Sequence, residues 1–229
     1  MPLQTLPRRE RRKIQKKEEL LEEAKAVFAE KGFLSTSIEN IAEHADISVG
    51  SIYNFFKNKD DLYVQVVETI FQESLETFDS KVLVQPNLKK SIKEIVTLRL
   101  MFFFKYKSFS LGVMEAVSSG IFAREEGFKK ACLAFREVCF QKNLHVLNRF
   151  QELLPGFNLN YLAFTLEGTI SEYIYHLAHN QTAHNQIKKS PAEMIEELSL
   201  HFFKIWGLEN IEKDIKGEIK DKIKMKSEK

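Results

Sequence analysis

The sequence has few residues that interrupt helices. Its 229 residues include five prolines and nine glycines, which leaves little material for the many tight turns of a β-rich fold. No run of 18 apolar residues predicts a membrane span, and the first residues carry too much charge for a secretory signal peptide. These absences predict an all-α protein of the cytoplasm with no membrane partner.

Cysteine is also scarce. Cys132 and Cys139 are the two cysteines of the chain, too few for a disulfide framework. Residues seven apart on one helix share a face and lie about 10 Å apart along its axis, which is beyond the reach of a disulfide within that helix. We therefore interpret both as small buried hydrophobic residues, with a redox sensor as the alternative.

Apolar residues recur at helical spacing along most of the chain. After residue 58 the pattern predicts helices at 59–81, 88–107, 110–121, 125–154, 159–180 and 190–206. Breaks are predicted where Gly, Pro, Ser and Asn collect, at 85–87, 108–112, 118–120, 155–156 and 189–191. We divide the chain into a small head at 1–60, a larger helical body at 61–207 and a charged tail at 208–229.

The two ends of the chain are strongly charged. Seven basic residues and one acid stand between Arg8 and Lys17, a patch that suits phosphate contact, with a solvated start of the first helix as the alternative. Isoleucine recurs every fourth residue from Ile211 to Ile223 in the tail. The tail is therefore either a solvated end or a helix that docks on the protein.

Local signals in the head predict where the first helices end and begin. An apolar stripe on the first helix runs to Phe28. Gly32 is expected to stop that helix, because glycine adopts the left-handed conformation without steric cost. Thr36 and Glu39 have the spacing of a capping box, so a second helix is predicted to start there.

The second and third helices are predicted to be joined by a tight turn at Asp46 and Ile47. Ser48 can cap the third helix, and Asn58 can cap a fourth that starts at Lys59, because both side chains can accept from free amides of a first turn. The head is thus predicted to contain two short helices around a turn, a typical DNA-binding unit.

Residues 28–62 resemble the DNA-binding domain of the TetR family of bacterial transcriptional regulators. The resemblance rests on the order of glycine, hydroxyl, small and aromatic residues at Phe28, Gly32, Thr36, Ser37, Ile41, Ala42, Ala45, Ser48, Gly50, Tyr53, Phe56, Lys59 and Leu62. It implies a three-helix helix-turn-helix head with a basic N-terminal arm, and a body that binds a small-molecule effector and forms a homodimer. A twofold dimer implies a palindromic operator in double-stranded DNA.

Nine residues of the head are predicted to bind DNA. They are Thr36, Ser37, Ser48, Val49, Gly50, Ser51, Tyr53, Asn54 and Lys59. The resemblance assigns phosphate contacts to Thr36, Ser37, Tyr53 and Lys59, and Lys59 also stands at a helix N-terminus, which favours an anion. Residues 48–51 lead the recognition helix, where family members touch base edges.

The reading surface offers little direct information about base sequence. Gly50 lets the backbone approach DNA, whereas Val49 and Ser51 cannot make the bidentate contacts that discriminate strongly between bases. Specificity is therefore expected to depend partly on DNA shape. Phe55 departs from the histidine or tyrosine that binds phosphate in many relatives, so that interaction is either absent or made by Asn54.

The body is rich in phenylalanine, which more often indicates core than pocket. The resemblance nevertheless implies an effector cavity, and an aromatic lining suits a hydrophobic or aromatic effector. Polar and aromatic residues amid apolar helices are the candidates for ligand binding: Arg99, Phe102, Phe103, Glu115, Phe122, Phe135, His145, Arg149 and Glu167. For any single polar residue, a surface position or a structural pairing is the alternative.

The last two long helices are predicted to form the dimer interface. Each has an apolar stripe, and together the stripes comprise Leu162, Leu166, Ile170, Tyr173, Ile195, Leu198, Phe202 and Trp206. Glu172, His176 and His179 share a helical face and have a spacing that a metal could use. No HExxH or paired CxxC signature accompanies them, so we predict neither a metal nor a cofactor.

The sequence thus predicts a dimeric, sequence-specific transcriptional repressor that a small effector releases from its operator. An activator, or a regulator without effector, is the alternative. An enzyme is not expected, because the chain has no Gly-rich phosphate loop, nucleophile motif or metal signature.

Overall fold

A computed structural model of the chain describes residues 6–107, 110, 126–180 and 189–209. Every regular element in these ranges is a helix, which confirms the all-α prediction. The α-helices are α1 (Arg8–Ser35), α2 (Ile38–His44), α3 (Val49–Tyr53), α4 (Lys59–Lys81), α5 (Leu88–Lys105), α6 (Glu126–Arg149), α7 (Leu159–Asn180) and α8 (Pro191–Ile205). In the described part, no helix is long and apolar enough to cross a membrane.

The chain forms two compact units. Unit 1 comprises Met1–Leu75 and Phe102–Glu137, and unit 2 comprises Glu76–Met101 and Val138–Lys229. This grouping differs from the predicted division at residue 60. The helices that follow the head contribute residues to unit 1, because their apolar side chains pack with those of the head.

The core of unit 1 draws on distant parts of the sequence. Its largest fully buried side chains include Phe28, Ile41 and Phe56 from the predicted head. Tyr106 and Phe128 complete the same core from outside that head. Such long-range packing is invisible to helical periodicity, which reports the buried face of each helix and not its partner.

Most predicted helix bounds after residue 58 are confirmed where the chain is described. The helices predicted at 59–81 and 159–180 match α4 and α7. The helix predicted at 125–154 ends earlier, at Arg149, and a single 3₁₀ turn follows before Gly156, which adopts a positive φ of 80°. The helix predicted at 110–121 and the tail after residue 209 lie outside the described residues.

The start of α2 corrects one local prediction. Gly32 adopts a positive φ of 77°, as expected for the break in α1. The capping box, however, pairs Ser37 with Asn40 and not Thr36 with Glu39. Ser37 lies one residue closer to α2, with extended backbone, so its Oγ accepts from the Asn40 amide at 3.2 Å, while Asn40 Oδ1 accepts from the Ser37 amide at 3.1 Å.

Candidate functional site

The turn between α2 and α3 sets the direction of α3. Asp46 adopts a positive φ of 51°, a conformation that Asp tolerates better than most residues. The Ile47 amide then donates to the Ala42 carbonyl at 3.0 Å, which closes the end of α2. The side chains of Ile52 and Phe56 are buried in the core of unit 1. The opposite side of α3 therefore faces solvent.

The first turn of α3 is held by its own hydroxyls. Ser48 caps the helix, because its Oγ accepts from the Ser51 amide at 3.2 Å. The two hydroxyl oxygens are 2.9 Å apart and hydrogen-bonded to each other. Each hydroxyl is thus already engaged in a hydrogen bond at the start of the helix. Fewer donors and acceptors therefore remain for contact with a base edge.

Gly50 lies exposed on this turn. A side chain added there would come within 3.9 Å of Ser48 Oγ and no closer to any other atom, which is ordinary contact. The fold itself therefore has room for a larger residue at this position. The open space lies on the solvent side, where a large ligand can approach the backbone.

The far end of α3 presents the most accessible polar groups. Tyr53 is 53 % exposed, and the exposed Asn54 is the C-cap residue. Val49 and Phe55 instead turn partly inward and pack against the core of unit 1. The hydrophobic residue at position 55 thus has a packing role, and Asn54 lies beside it with its side chain in solvent.

Two predicted phosphate contacts are corrected. Thr36 is buried, and its hydroxyl donates to the Gly32 carbonyl at 2.7 Å. The Lys59 ammonium donates to the carbonyls of Phe33 and Thr36 at 3.1 and 3.0 Å, and lies 4.4 Å from the centre of the Phe33 ring. The Lys59 side chain thus joins the start of α4 to the end of α1, whereas the Thr36 hydroxyl is used within the end of α1 itself.

The N-terminus of α4 already has acceptors. Asn58 caps it as predicted, because its Oδ1 accepts from the Asp61 amide at 2.7 Å. The Asp61 carboxylate accepts from the Lys57 amide at 2.8 Å. An incoming phosphate would have to displace or face this carboxylate, so the anion site expected beside Lys59 is not supported.

The basic segment forms the beginning of α1 and not a separate arm. Arg8, Arg9, Arg11 and Arg12 are all exposed on this helix. Lys17 is half-buried, with its ammonium 5.7 Å from the centre of the Phe56 ring. A rigid helical start holds these arginines in solvent, where they are available to a polyanion.

Two of the predicted ligand-binding residues form an ion pair in unit 2. Arg99 Nη2 lies 2.9 Å from Glu167 Oε1, and Nη1 donates to Cys139 Sγ at 3.3 Å. Burial alone would lower the pKa of Arg99, but the Glu167 carboxylate outweighs it and raises that pKa. Burial raises the pKa of the Cys139 thiol to about 11. The cluster therefore holds a charged pair beside a protonated thiol.

Asn143 belongs to the same cluster, and no sequence motif indicated it. Its Nδ2 donates to Glu167 Oε2 at 3.2 Å. Its Oδ1 is buried and accepts no hydrogen bond from the described residues. A buried acceptor without a donor is costly to the fold.

The remaining ligand candidates do not join this cluster in the described structure. Phe103 is buried, and Phe135 stacks on Phe71 with ring centres 4.0 Å apart. Phe102 packs against the core of unit 1. In unit 2, His145 is exposed, and Arg149 donates to the Leu83 carbonyl at 2.5 Å and the Gln85 carbonyl at 3.2 Å. Glu115 and Phe122 lie outside the described residues.

The residues predicted for the dimer interface need correction. Seven of the eight are buried within a single copy of the chain, namely Leu162, Leu166, Ile170, Ile195, Leu198, Phe202 and Trp206. Such side chains form the subunit's own core and have little surface for a second subunit. The opposite face of α7 is exposed and apolar, with Tyr161 at 72 % and Phe164 at 67 % exposure.

An open groove of about 540 Å³ continues along this face. Both α7 and α8 line it, through Gly168, Thr169, Glu172, Tyr173, His176, Glu197, Leu198 and His201. His176 Nε2 lies 3.4 Å from Glu172 Oε1 on the surface, so two of the three residues whose spacing a metal could use contact each other. No group of three metal-ligating side chains occurs among the described residues.

Sequence comparison assigns the head to a known family. Residues 20–66 match the family model for bacterial regulatory proteins of the tetR family, and these residues include α2, the turn and α3. The helix-turn-helix head of the chain is of the TetR type. The match to the family model covers the helix-turn-helix and the first turns of α4. It therefore supports the family assignment of the head and gives little information about the remaining residues.

Two curated relatives illustrate the range of similarity. The TetR-type chain is 33 % identical over 67 residues to the HTH-type transcriptional regulator YfiR of Bacillus subtilis, covering 29 % of this chain and 33 % of YfiR. It is 25 % identical over 156 residues to the fatty acid metabolism regulator protein of B. subtilis, covering 68 % of this chain and 66 % of that protein. YfiR and two further B. subtilis regulators are matched over about a third of their own length.

Solved structures share the fold along most of the chain. A TetR-family transcriptional regulator from Pectobacterium atrosepticum aligns with a TM-score of 0.66 and 19 % identity, covering 85 % of this chain and 95 % of that one. B. subtilis FadR in complex with stearoyl-CoA aligns with a TM-score of 0.57 and 15 % identity, covering 82 % and 96 %. At these identities the likeness establishes the fold alone.

Proposed function

We propose that this TetR-family chain is a dimeric DNA-binding repressor whose affinity for its operator falls when a long-chain acyl compound binds unit 2. The single observation that carries the DNA-binding part is the capped helix α3. Its inner side is anchored by Ile52, while Gly50, Tyr53 and Asn54 lie exposed. The exposed arginines at the start of α1 supply the charge that a phosphate backbone requires.

The reading mode follows from the same residues. Ser48 and Ser51 are hydrogen-bonded to each other, and Val49 packs partly inward. Few side chains remain for direct contact with base edges, so the repressor would recognise its operator partly by the shape and deformability of the DNA. A glycine at position 50 would let the backbone lie close to the groove.

A homodimer fits the exposed face of α7. Tyr161, Phe164 and Tyr175 present large apolar surface to solvent in the single subunit. Aromatic side chains of this kind are enriched in protein interfaces. A second copy on this face would give the protein two recognition helices, spaced about 34 Å or a multiple apart for a palindromic operator.

The acyl effector is suggested by the relatives. A curated relative is a regulator of fatty acid metabolism, and a structural neighbour was solved with stearoyl-CoA. In unit 2 of this chain, Asn143 Oδ1 has no donor among the described residues, beside the pair of Arg99 and Glu167. These groups could receive the polar end of an acyl ligand. Such a ligand lowers DNA affinity if it binds the DNA-free conformation more tightly.

The proposal is tested by selecting bound fragments from native genomic DNA with the full chain, then measuring affinity for a selected fragment against salt. Replacing Arg9 and Arg12 with Gln is expected to lower the salt slope by about 1 for each phosphate interaction that the substitution removes. Stearoyl-CoA added to the complex is expected to weaken binding. Failure to enrich any fragment would refute DNA binding, whereas enrichment without a response to stearoyl-CoA would refute the acyl effector alone.

A further inference from the structure

A polar cluster in unit 1 joins three separate segments of the chain. Glu73 lies on α4, and its Oε1 accepts a hydrogen bond from the Lys25 Nζ of α1 at 2.5 Å. Its Oε2 accepts a hydrogen bond from the Tyr106 hydroxyl at 2.6 Å. Tyr106 directly follows the last residue of α5. One carboxylate therefore connects the first helix of the DNA-binding head to the end of α5.

The hydrogen bonds of the cluster are partly shielded from solvent. The Lys25 side chain is 14 % exposed, and Tyr106 is buried in the core of unit 1. Glu22 provides a second carboxylate for Lys25, at 2.6 Å. Charged hydrogen bonds of this length are strong, and the shielding from solvent increases their contribution.

The protonation states fit these contacts. Burial and the bond to Glu73 raise the pKa of Tyr106 well above its usual range, so the phenol remains a donor. Burial would raise the pKa of Glu73, but the bonds from Lys25 and Tyr106 lower it overall. At neutral pH the carboxylate is therefore ionised and bonded by both groups.

The same three segments meet in the apolar core. Ala24, which precedes Lys25, is fully buried in the cluster that includes Tyr106. The position of α1 thus depends on packing and on the bond through Glu73. Since α1 packs on α2, and α2 on α3, a shift of α1 would move the recognition helix.

We propose that Glu73 is a positioning residue for DNA binding. Its carboxylate is held by the Tyr106 hydroxyl and in turn holds the Lys25 ammonium, which fixes the position of α1 in the head. This inference rests on the proposed function, because it names a control point for the same DNA-binding surface. Glu73 would touch no DNA itself.

Hydrogen exchange on the full chain tests the positioning role without DNA or effector. The variants are Tyr106→Phe, Lys25→Met and the two combined, with Lys130→Met as the matched control because that lysine is exposed on α6. Loss of one charged hydrogen bond in this partly exposed cluster is expected to raise amide exchange at residues 20–31 by up to about fivefold. The combined variant should exchange no faster than Lys25→Met alone.

The outcomes separate positioning from general support of the fold. Additive effects of the two substitutions, or unchanged exchange in α1, would overturn the proposal. Lys130→Met should leave amide exchange in α1 unchanged. Glu73→Gln keeps an acceptor for the Tyr106 hydroxyl and should give an intermediate rate. An equal loss of protection throughout unit 1 would also count against a specific link to Lys25.

DNA binding provides the second readout. Tyr106→Phe is expected to weaken binding of a selected genomic fragment by about tenfold, with the salt slope unchanged because no phosphate contact is removed. Wild-type affinity in this variant would overturn the link between Glu73 and DNA binding. If the wild-type chain binds no DNA, the proposed function fails, while the exchange data still decide whether Glu73 orders α1.

Discussion

The ionic cluster of unit 1 and that of unit 2 differ in how deeply their charges are buried and in how completely their polar atoms are hydrogen-bonded. Glu73 is 37 % exposed and both of its oxygens accept hydrogen bonds. Arg99 and Glu167 are 17 % and 10 % exposed, and the adjacent Asn143 Oδ1 has no donor in the part of the chain that the structure describes. The first cluster is satisfied and suits a positional role. The second is more costly to bury and incompletely satisfied.

The largest effect is predicted for the buried pair. Arg99→Met should lower the free energy of unfolding by about 3 kcal/mol, because it leaves the Glu167 carboxylate buried without its cation. Urea denaturation measures this loss. Adding Glu167→Leu to the same chain should restore at least half of the stability. A loss below about 1 kcal/mol in the single variant would show that the pair is effectively solvated.

The corresponding change in unit 1 should be much smaller. Lys25→Met is expected to lower the free energy of unfolding by less than about 1 kcal/mol, since a partly exposed ion pair gains little over its hydration. The same urea measurement compares it directly with Arg99→Met. Equal losses in the two variants would erase the distinction between the clusters.

A pH series sharpens the role of Glu73. The folded chain holds the pKa of Glu73 below its ordinary value of 4.5. Its ionised form therefore stabilises the fold above pH 4.5, and this contribution is lost as the pH falls through the lower, folded-state pKa. The difference in unfolding free energy between wild type and Glu73→Gln should shrink in acid. A difference that grows below pH 4.5 would contradict the assignment.

The cysteines should have the smallest effect and the slowest chemistry. Burial raises the pKa of both Cys132 and Cys139 to about 11. At pH 8 each should react with a disulfide reagent about 100-fold more slowly than a thiol of pKa 9, because the thiolate is the reactive form. Stopped-flow absorbance measures the rates. Fast modification of either thiol in the folded chain would favour a redox sensor.

The helices could be predicted well from the sequence because their signals are local. The caps at Ser48 and Asn58 lie within three residues of the amides that they bind. The partners of Lys59 could not be predicted in this way, because the carbonyls of Phe33 and Thr36 are more than 20 residues away. A lysine directly after a helix cap is typical of a phosphate ligand, whereas the Lys59 side chain donates to backbone carbonyls within the protein.

The faces of α7 show a second limit. Both the buried Leu166 and the exposed Phe164 belong to apolar stripes, so periodicity alone cannot decide which stripe forms the core. Nothing in the sequence indicated that Asn143 is important, because a single asparagine on a helix forms no recognisable motif. Its importance emerges from the contact with Glu167, which depends on how α6 and α7 pack.

The most direct test of DNA recognition by α3 is the affinity of Gly50→Glu for a selected genomic fragment. A Cβ added at position 50 comes only as close as 3.9 Å to Ser48 Oγ, and a helix gains stability when glycine is replaced. The matched control is Gly127→Glu, an exposed position on α6 with no atom within 4 Å of an added Cβ. Thermal unfolding should show both variants folded. We expect Gly50→Glu to lose at least about tenfold in DNA affinity, because a carboxylate would face the phosphates, and Gly127→Glu to bind as wild type. Wild-type affinity in Gly50→Glu would contradict the assignment of α3 as the DNA-reading helix.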